Sequence, residues 1–276
     1  MKTIPLGILA FRGGCPVTEA YLATLKNHGF RPSVILAIDY VGEGARAAKL
    51  QRLLGTRLSS MLLRHWRNRS VRISSELKER LQRDYPVKLQ PGREPRFKNF
   101  ADRVDYLTIK DYADPRLREA MRTCGAGTFL YCSGGRVPAA VFEEGFRILH
   151  IHPGVVPHVK GSDGLLWSML AREKPGASCF YMDAGIDTGN LIATAEYAMP
   201  RWPGLNAAPD MLYEALIHCY DPHLRASLLV DVLKGPGRNG DGDLASLPAS
   251  TQVHGGGHYY TMHRLLRDRA LSRLCR

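Results

Sequence analysis

The sequence has no apolar run approaching the ~20 residues that a membrane-spanning helix needs. Its 276 residues carry no internal repeat, which sets aside solenoids and propellers. The opening apolar stretch is interrupted by Pro5 and ends at Arg12, too short for a secretory signal, so no leader is expected here. CxxC spacing is also missing. The six cysteines, Cys15, Cys124, Cys132, Cys179, Cys219 and Cys275, stand far apart and suggest reduced thiols in a cytoplasmic protein rather than a disulfide framework. With 45% hydrophobic and 23% charged residues, collagen-like, coiled-coil and wholly disordered chains are excluded as well.

Negative charge is in short supply. Thirty-eight Lys and Arg stand against twenty-six Asp and Glu, a net charge of +12. Between Arg46 and Arg103 there are sixteen basic and five acidic residues, so this segment holds nearly all of the excess. Such a field favours an anionic partner, such as a phosphorylated substrate, a nucleic acid, an acidic carrier or a membrane surface; a solvated helical face explains it equally. Leu50, Leu53, Leu54, Leu58, Met61 and Leu62 fall on one face at helical spacing, and the expectation is that these leucines pack on a sheet.

What the chain does have is alternation. Strand-like runs recur at Ile4–Phe11, Ser33–Asp39, Val104–Ile109, Thr128–Cys132, Ile148–Ile151 and Ala177–Met182. Helical patterns separate most of them: Pro16–His28, with Pro at its first turn and Gly29 beyond its end, Pro115–Thr123 behind an Asp114 cap, and later Gly164–Arg172. Strands alternating with helices predict an α/β fold with a mostly parallel sheet and helices on both faces. Pro209–Leu233 reads as helix with a break or kink at Pro222, and Tyr259–Arg276 as a basic amphipathic helix. The expected organisation is a catalytic α/β domain over 1–204, with a basic helical insertion at about 41–103, and a C-terminal helical extension with a Gly-rich loop over 205–276.

The chemistry concentrates in Ile148-Leu149-His150-Ile151-His152-Pro153, which continues to Lys160-Gly161. Residues two apart on a strand share a face, so His150 and His152 project together near the C-terminal end of a buried strand, where α/β sheets place their sites. A turn with two carboxylates, Asp183-Ala184-Gly185-Ile186-Asp187-Thr188-Gly189, follows.

In these residues the chain resembles the folate-dependent formyltransferase family, which includes glycinamide ribonucleotide and methionyl-tRNA formyltransferases. That family carries Asn-x-His leading into Leu-Leu-Pro, a basic residue before Gly, then Gly-x-Asp-Thr-Gly; here these appear as His150-Ile151-His152, Val155-Val156-Pro157, Lys160-Gly161 and Gly185–Gly189. Arg136-Val137-Pro138 looks like the family's apolar-Pro segment upstream. The resemblance covers roughly the middle third of the chain and implies a Rossmann-like, formyltransferase-like fold.

It also implies an activity. An amine attacks the formyl carbon of 10-formyltetrahydrofolate through a tetrahedral intermediate, so a site must stabilise an oxyanion and remove a proton. By resemblance, His152 polarises or protonates that oxygen, while Asp187 orients the histidine or a water and relays the proton. Gly134, Gly135, Arg136 and Val137, with Asp183, Gly185 and Ile186, would hold the pterin of this formyl donor. His150 departs from the family's Asn; an imidazole can donate the same hydrogen bond, with altered pH dependence.

The His-x-His pair leaves alternatives open: a formyl-folate hydrolase, a metal-dependent hydrolase using His150 and His152 with His158 and Asp187 near in pattern, or a non-catalytic polyanion-binding protein. The tail after Pro209 lacks the alternating strands of the β-barrel that methionyl-tRNA formyltransferases carry, which argues against a nucleic-acid acceptor. The expected acceptor is a small amine, an amino sugar or a hydroxylamine, with an anionic group that the basic insertion could attract.

Overall fold

A computed structural model describes residues 1–40, 52–55, 58–59, 62, 75–85, 95–132, 137–202, 207–235, 244, 247–253 and 255–275. Among them, seven strands form one sheet: β1 (Lys2–Phe11), β2 (Phe30–Tyr40), β3 (Arg103–Ile109), β4 (Thr128–Tyr131), β5 (Arg147–His152), β7 (Gly176–Tyr181) and β8 (Leu191–Glu196). The spatial order is β3-β2-β1-β4-β5-β7-β8. The first five strands are parallel, and β7 and β8 add on antiparallel. A separate two-stranded sheet joins β6 (Val159–Gly161) in parallel to β9 (Gly257–Tyr259).

Period-two alternation builds the core. Ile4, Leu6, Ile8 and Ala10 of β1 face one cluster, with Ile35 and Ala37 of β2, while Leu9, Val34, Leu36 and Ile38 face another. The first face is covered by α1 (Pro16–Asn27), through Tyr21, Leu22 and Leu25, and by α7 (Asp221–Lys234), through Leu228, Leu229 and Val232. The other face is covered by α3 (Pro115–Thr123), through Leu117 and Met121, and by α4 (Ala139–Glu143), through Val141. The remaining helices are α2 (Ser75–Asp84), α5 (Gly164–Trp167), α6 (Pro209–Ala215) and α8 (Arg264–Leu271).

The caps expected from sequence form. The Asp114 carboxylate accepts the Arg116 amide at the head of α3, and Pro16 and Gly29 (φ +78°) bracket α1. Other expectations change. Pro222 does not break its helix: the chain widens into a π turn over Leu216–Tyr220 and runs on into α7, accommodating the missing amide without ending the helix. The terminal helix is shorter than expected, because Gly257–Tyr259 is recruited as a strand beside β6 and α8 begins only at Arg264.

Most of the basic segment lies outside the described residues. Where it is described, Leu53, Leu54 and Leu58 are exposed rather than packed on the sheet, both faces of which are already covered. A third apolar cluster gathers Leu165, Leu166, Met169, Trp202, Leu212, Leu216 and Leu271, so the region beyond residue 205 packs against α5 and the π turn over Ser168–Arg172 that continues it. No described helix is long and apolar enough to cross a membrane.

Candidate active site

His150 and His152 both line one pocket of about 590 Å³ at the C-terminal end of β5. Pairing with β7 fixes them, His150 opposite Phe180 and His152 opposite Ser178. Ser178 also anchors the chain leaving the strand: its hydroxyl donates to the Gly154 carbonyl (2.7 Å) and accepts the Val156 amide (3.0 Å). Gly154 and Gly164 enclose His152 so closely that a Cβ at either would lie within 3 Å of its Nε2.

Asp187 reaches His152 from the turn between β7 and β8. Its Oδ2 lies 3.5 Å from His152 Nδ1 and accepts the Gly161 amide at 2.7 Å. The residue sits in the left-handed region (φ +54°), a strained conformation for a side chain of this kind, and the turn is braced around it. Gln252 donates through Nε2 to the carbonyls of Asp187 (3.1 Å) and Gly189 (2.7 Å). The Asp183 carboxylate accepts both the Gly185 amide and the Thr188 hydroxyl.

The His152 ring is 3% exposed and lies between two acceptors, Asp187 on one nitrogen and the Val159 carbonyl, 3.2 Å away, on the other. The carboxylate and the carbonyl favour the charged ring, yet burial outweighs them and Arg225 adds repulsion, so its pKa is lowered. A neutral ring fills one of those contacts and leaves the second nitrogen ready for a proton. His150 is held neutral still more firmly, by burial first and then by Arg225 and His152. Tyr131 and Phe180 pack edge-on against it, and its Nδ1 is buried without a hydrogen-bond partner.

Of the residues singled out for the pterin, Val137, Asp183, Gly185 and Ile186 line the same pocket as His150, His152 and Asp187. Gly134, Gly135 and Arg136 lie outside the described residues. His158, named with the metal alternative, does not line the pocket. The donor atoms of His150, His152 and Asp187 come within 4.8 Å of one another, a set that could hold a metal ion.

Three charged residues that sequence reasoning passed over, Asp163, Asp221 and Arg225, also line the pocket. Arg225 grips Asp221, one turn earlier on α7, with two 2.7 Å hydrogen bonds, and donates to the Ile151 carbonyl, between the two histidines, at 3.2 Å. An i,i+4 Asp–Arg pair is ordinary on a solvated helix. Only the apolar surroundings Leu224, Leu228 and Leu229 hinted that this one is buried.

No family model matches the chain. Partial matches are found among curated proteins. The chain is 28% identical over 82 residues to methionyl-tRNA formyltransferase from Thermosynechococcus vestitus, covering 29% of this chain and 25% of that protein. It is 33% identical over 67 residues to dTDP-4-amino-4,6-dideoxyglucose formyltransferase from Mycobacterium tuberculosis, covering 24% of this chain and 28% of that one. The matches thus span about a quarter of each of these relatives. Among solved structures, a sugar N-formyltransferase from Shewanella sp is similar over 96% of this chain and 86% of its own, at 13% identity and a TM-score of 0.48. A formyltransferase from Anoxybacillus kamchatkensis, solved with a formamido sugar nucleotide and tetrahydrofolate, is similar over 57% of this chain and 75% of its own, at 20% identity and a TM-score of 0.40.

Proposed function

We propose that this protein transfers a formyl group from 10-formyltetrahydrofolate to the amine of a small molecule, an amino sugar or a hydroxylamine. The observation that carries this reading is the meeting of His152 and Asp187, from separate strand ends, beside His150 in one pocket. Their sequence context resembles the formyltransferase pattern apart from His150 in the place of Asn, and the partial relatives are formyltransferases.

The chemistry follows from what each side chain can do. The amine lone pair forms the new N–C bond at the formyl carbon while the C=O electrons move to oxygen. Collapse then breaks the bond to N10 of the folate, which takes up the proton that the amine gives up. His150, a neutral imidazole lining the pocket, is suited to donate to the developing oxyanion in place of the family's Asn. Asp187 is bound by Gly161 through Oδ2 alone, and its other oxygen is available to receive the amine proton. His152, poised between two acceptors, relays it.

The formyl donor fits the remaining wall, where Val137 and Met182 supply an apolar surface and the Asp183–Asp187 turn supplies backbone groups. The clustering of His150, His152 and Asp187 favours a second reading, a divalent-metal hydrolase in which no amine is needed. Absorbance-monitored deformylation of 10-formyltetrahydrofolate against a panel of amines, with metal chelated, separates them. The transferase reading expects turnover only with an amine and in chelator; amine-independent, chelator-sensitive turnover supports the hydrolase.

A further inference from the structure

The two walls of the pocket differ. Tyr131, Val137 and Met182 belong to the apolar cluster on one sheet face, whereas Leu165, Leu166 and Leu216 belong to the C-terminal cluster. His150, His152 and Asp187 line the same cavity. A two-substrate transfer needs a subsite on each side of its reacting groups. With the formyl donor assigned to the first wall, the second is left for the acceptor.

That second wall has its own construction. Strand β9 lies beside β6 with Tyr259 in register with Gly161, the residue whose amide binds Asp187. The Trp167 ring packs against Tyr259 at a tilt of 32° with centroids 4.7 Å apart, and its indole nitrogen donates to the Tyr260 carbonyl at 2.9 Å. Tyr260 is 84% exposed at the edge of the pocket. Asp163 borders these rings, one carboxylate oxygen bound by the Met262 amide at 2.7 Å.

The charge of the pocket opposes that of the chain. Among the described residues lining it are four carboxylates, Asp163, Asp183, Asp187 and Asp221, and one guanidinium, Arg225, itself bonded twice to Asp221. In a protein of net charge +12 this is a local inversion. A phosphate beside the reacting amine would be desolvated against like charge, with no unpaired Lys or Arg among the described lining residues to meet it, while a protonated amine would be drawn in.

We propose that Tyr259, Tyr260 and Asp163 form the acceptor subsite, with Trp167 packed against Tyr259 to hold it in place, and that the subsite selects an amine carried on a ring with an apolar face and no phosphate beside it. The aromatic shelf takes the face of the ring, and Asp163 takes its ammonium or hydroxyl hydrogens. The inference rests on the formyl-transfer reading.

The test compares D-glucosamine and trans-4-aminocyclohexanol with glucosamine 6-phosphate and dTDP-4-amino-4,6-dideoxyglucose as acceptors in the deformylation assay. Titration of 5-formyltetrahydrofolate, measured separately by calorimetry, reports on the donor side. The phosphate-free amines are expected to give the higher kcat/KM by about tenfold or more. Tyr259→Ala should raise their KM about tenfold without changing the folate titration, since each lost aromatic contact is worth on that order. Tyr259→Phe should restore it, and Asp163→Asn should narrow the gap between phosphate-free and phosphorylated amines. Preference for a phosphorylated amine, turnover of none of the four, or a KM unmoved by Tyr259→Ala overturns the proposal. Loss of folate binding in correctly folded Tyr259→Ala also overturns it, because the strap that β9 forms over Gly161 would then be structural. A wild-type chain that does not bind the folate fails at the formyl-transfer reading instead.

Discussion

Gly161 and Asp187 are joined by a 2.7 Å hydrogen bond from the glycine amide to Oδ2, which holds the carboxylate where it faces His152. Gly161 has φ +95°, and a Cβ built on it would stand 2.2 Å from the Tyr259 carbonyl oxygen. Gly161→Ala is therefore expected to push β9 away and cost about 1–3 kcal/mol in stability from backbone strain alone. Urea unfolding measures this, and a circular-dichroism spectrum confirms that the sheet persists. Unchanged stability and turnover in the variant would show that the strap is not held as described.

The roles of His152 and Asp187 predict a loss confined to chemistry. His152→Asn and Asp187→Asn should each lower kcat by about 10²–10⁴-fold, the usual contribution of a positioned proton-transfer group. The dissociation constant for 5-formyltetrahydrofolate should stay within a few-fold of wild type. Equal losses in binding and turnover would assign both residues to holding the donor.

The two buried histidines predict an acid-sensitive fold. Both have pKa values below the ordinary 6.5, so below that pH the unfolded chain binds more protons than the native one. Their contribution to stability is intact above 6.5 and is lost as pH falls from there toward the lower folded values. Chemical unfolding at about pH 7 and about pH 5 should show this decline, and His150→Asn should reduce it, having no proton to gain. A decline of equal size in that variant would trace the acid sensitivity to other groups.

The Arg225–Asp221 pair predicts asymmetric mutational costs. Its side chains are 16% and 10% exposed, so removing the cation alone by Arg225→Met strands a carboxylate in a dry environment, at a cost on the order of 3–5 kcal/mol. Arg225→Met combined with Asp221→Leu should recover most of that loss, because a buried ion pair and an apolar pair are often nearly equal in stability. Additive losses in the double variant would mean that Arg225 acts chiefly through the Ile151 carbonyl.

Much of this architecture was legible in the residues. Alternating runs located six strands of the main sheet, and Asp114, Pro16 and Gly29 marked helix ends by local chemistry that tertiary contacts do not alter. His150 and His152 could be placed together by strand periodicity, whereas Asp187 joined them only through the resemblance of the Gly185–Gly189 turn to the formyltransferase pattern. The rest depended on contacts distant in sequence. Gly255–Gly257 reads as a loop by itself, and only the groups of β6 make a strand of Gly257–Tyr259. Arg225 and Asp221 look like a solvated pair until α7 is laid on the sheet. The neutrality of His152 was legible least: its carboxylate neighbour argues for a raised pKa, and burial, which a sequence does not display, reverses the sign.

The most direct test of formyl transfer is mass spectrometry of the amine panel after incubation with 10-formyltetrahydrofolate, metal chelated. The account predicts a formylated amine formed in step with release of tetrahydrofolate, abolished by His152→Asn and by Asp187→Asn. Free formate with no formylated amine, or turnover that disappears with the chelator, would contradict it and assign the pocket to a hydrolase.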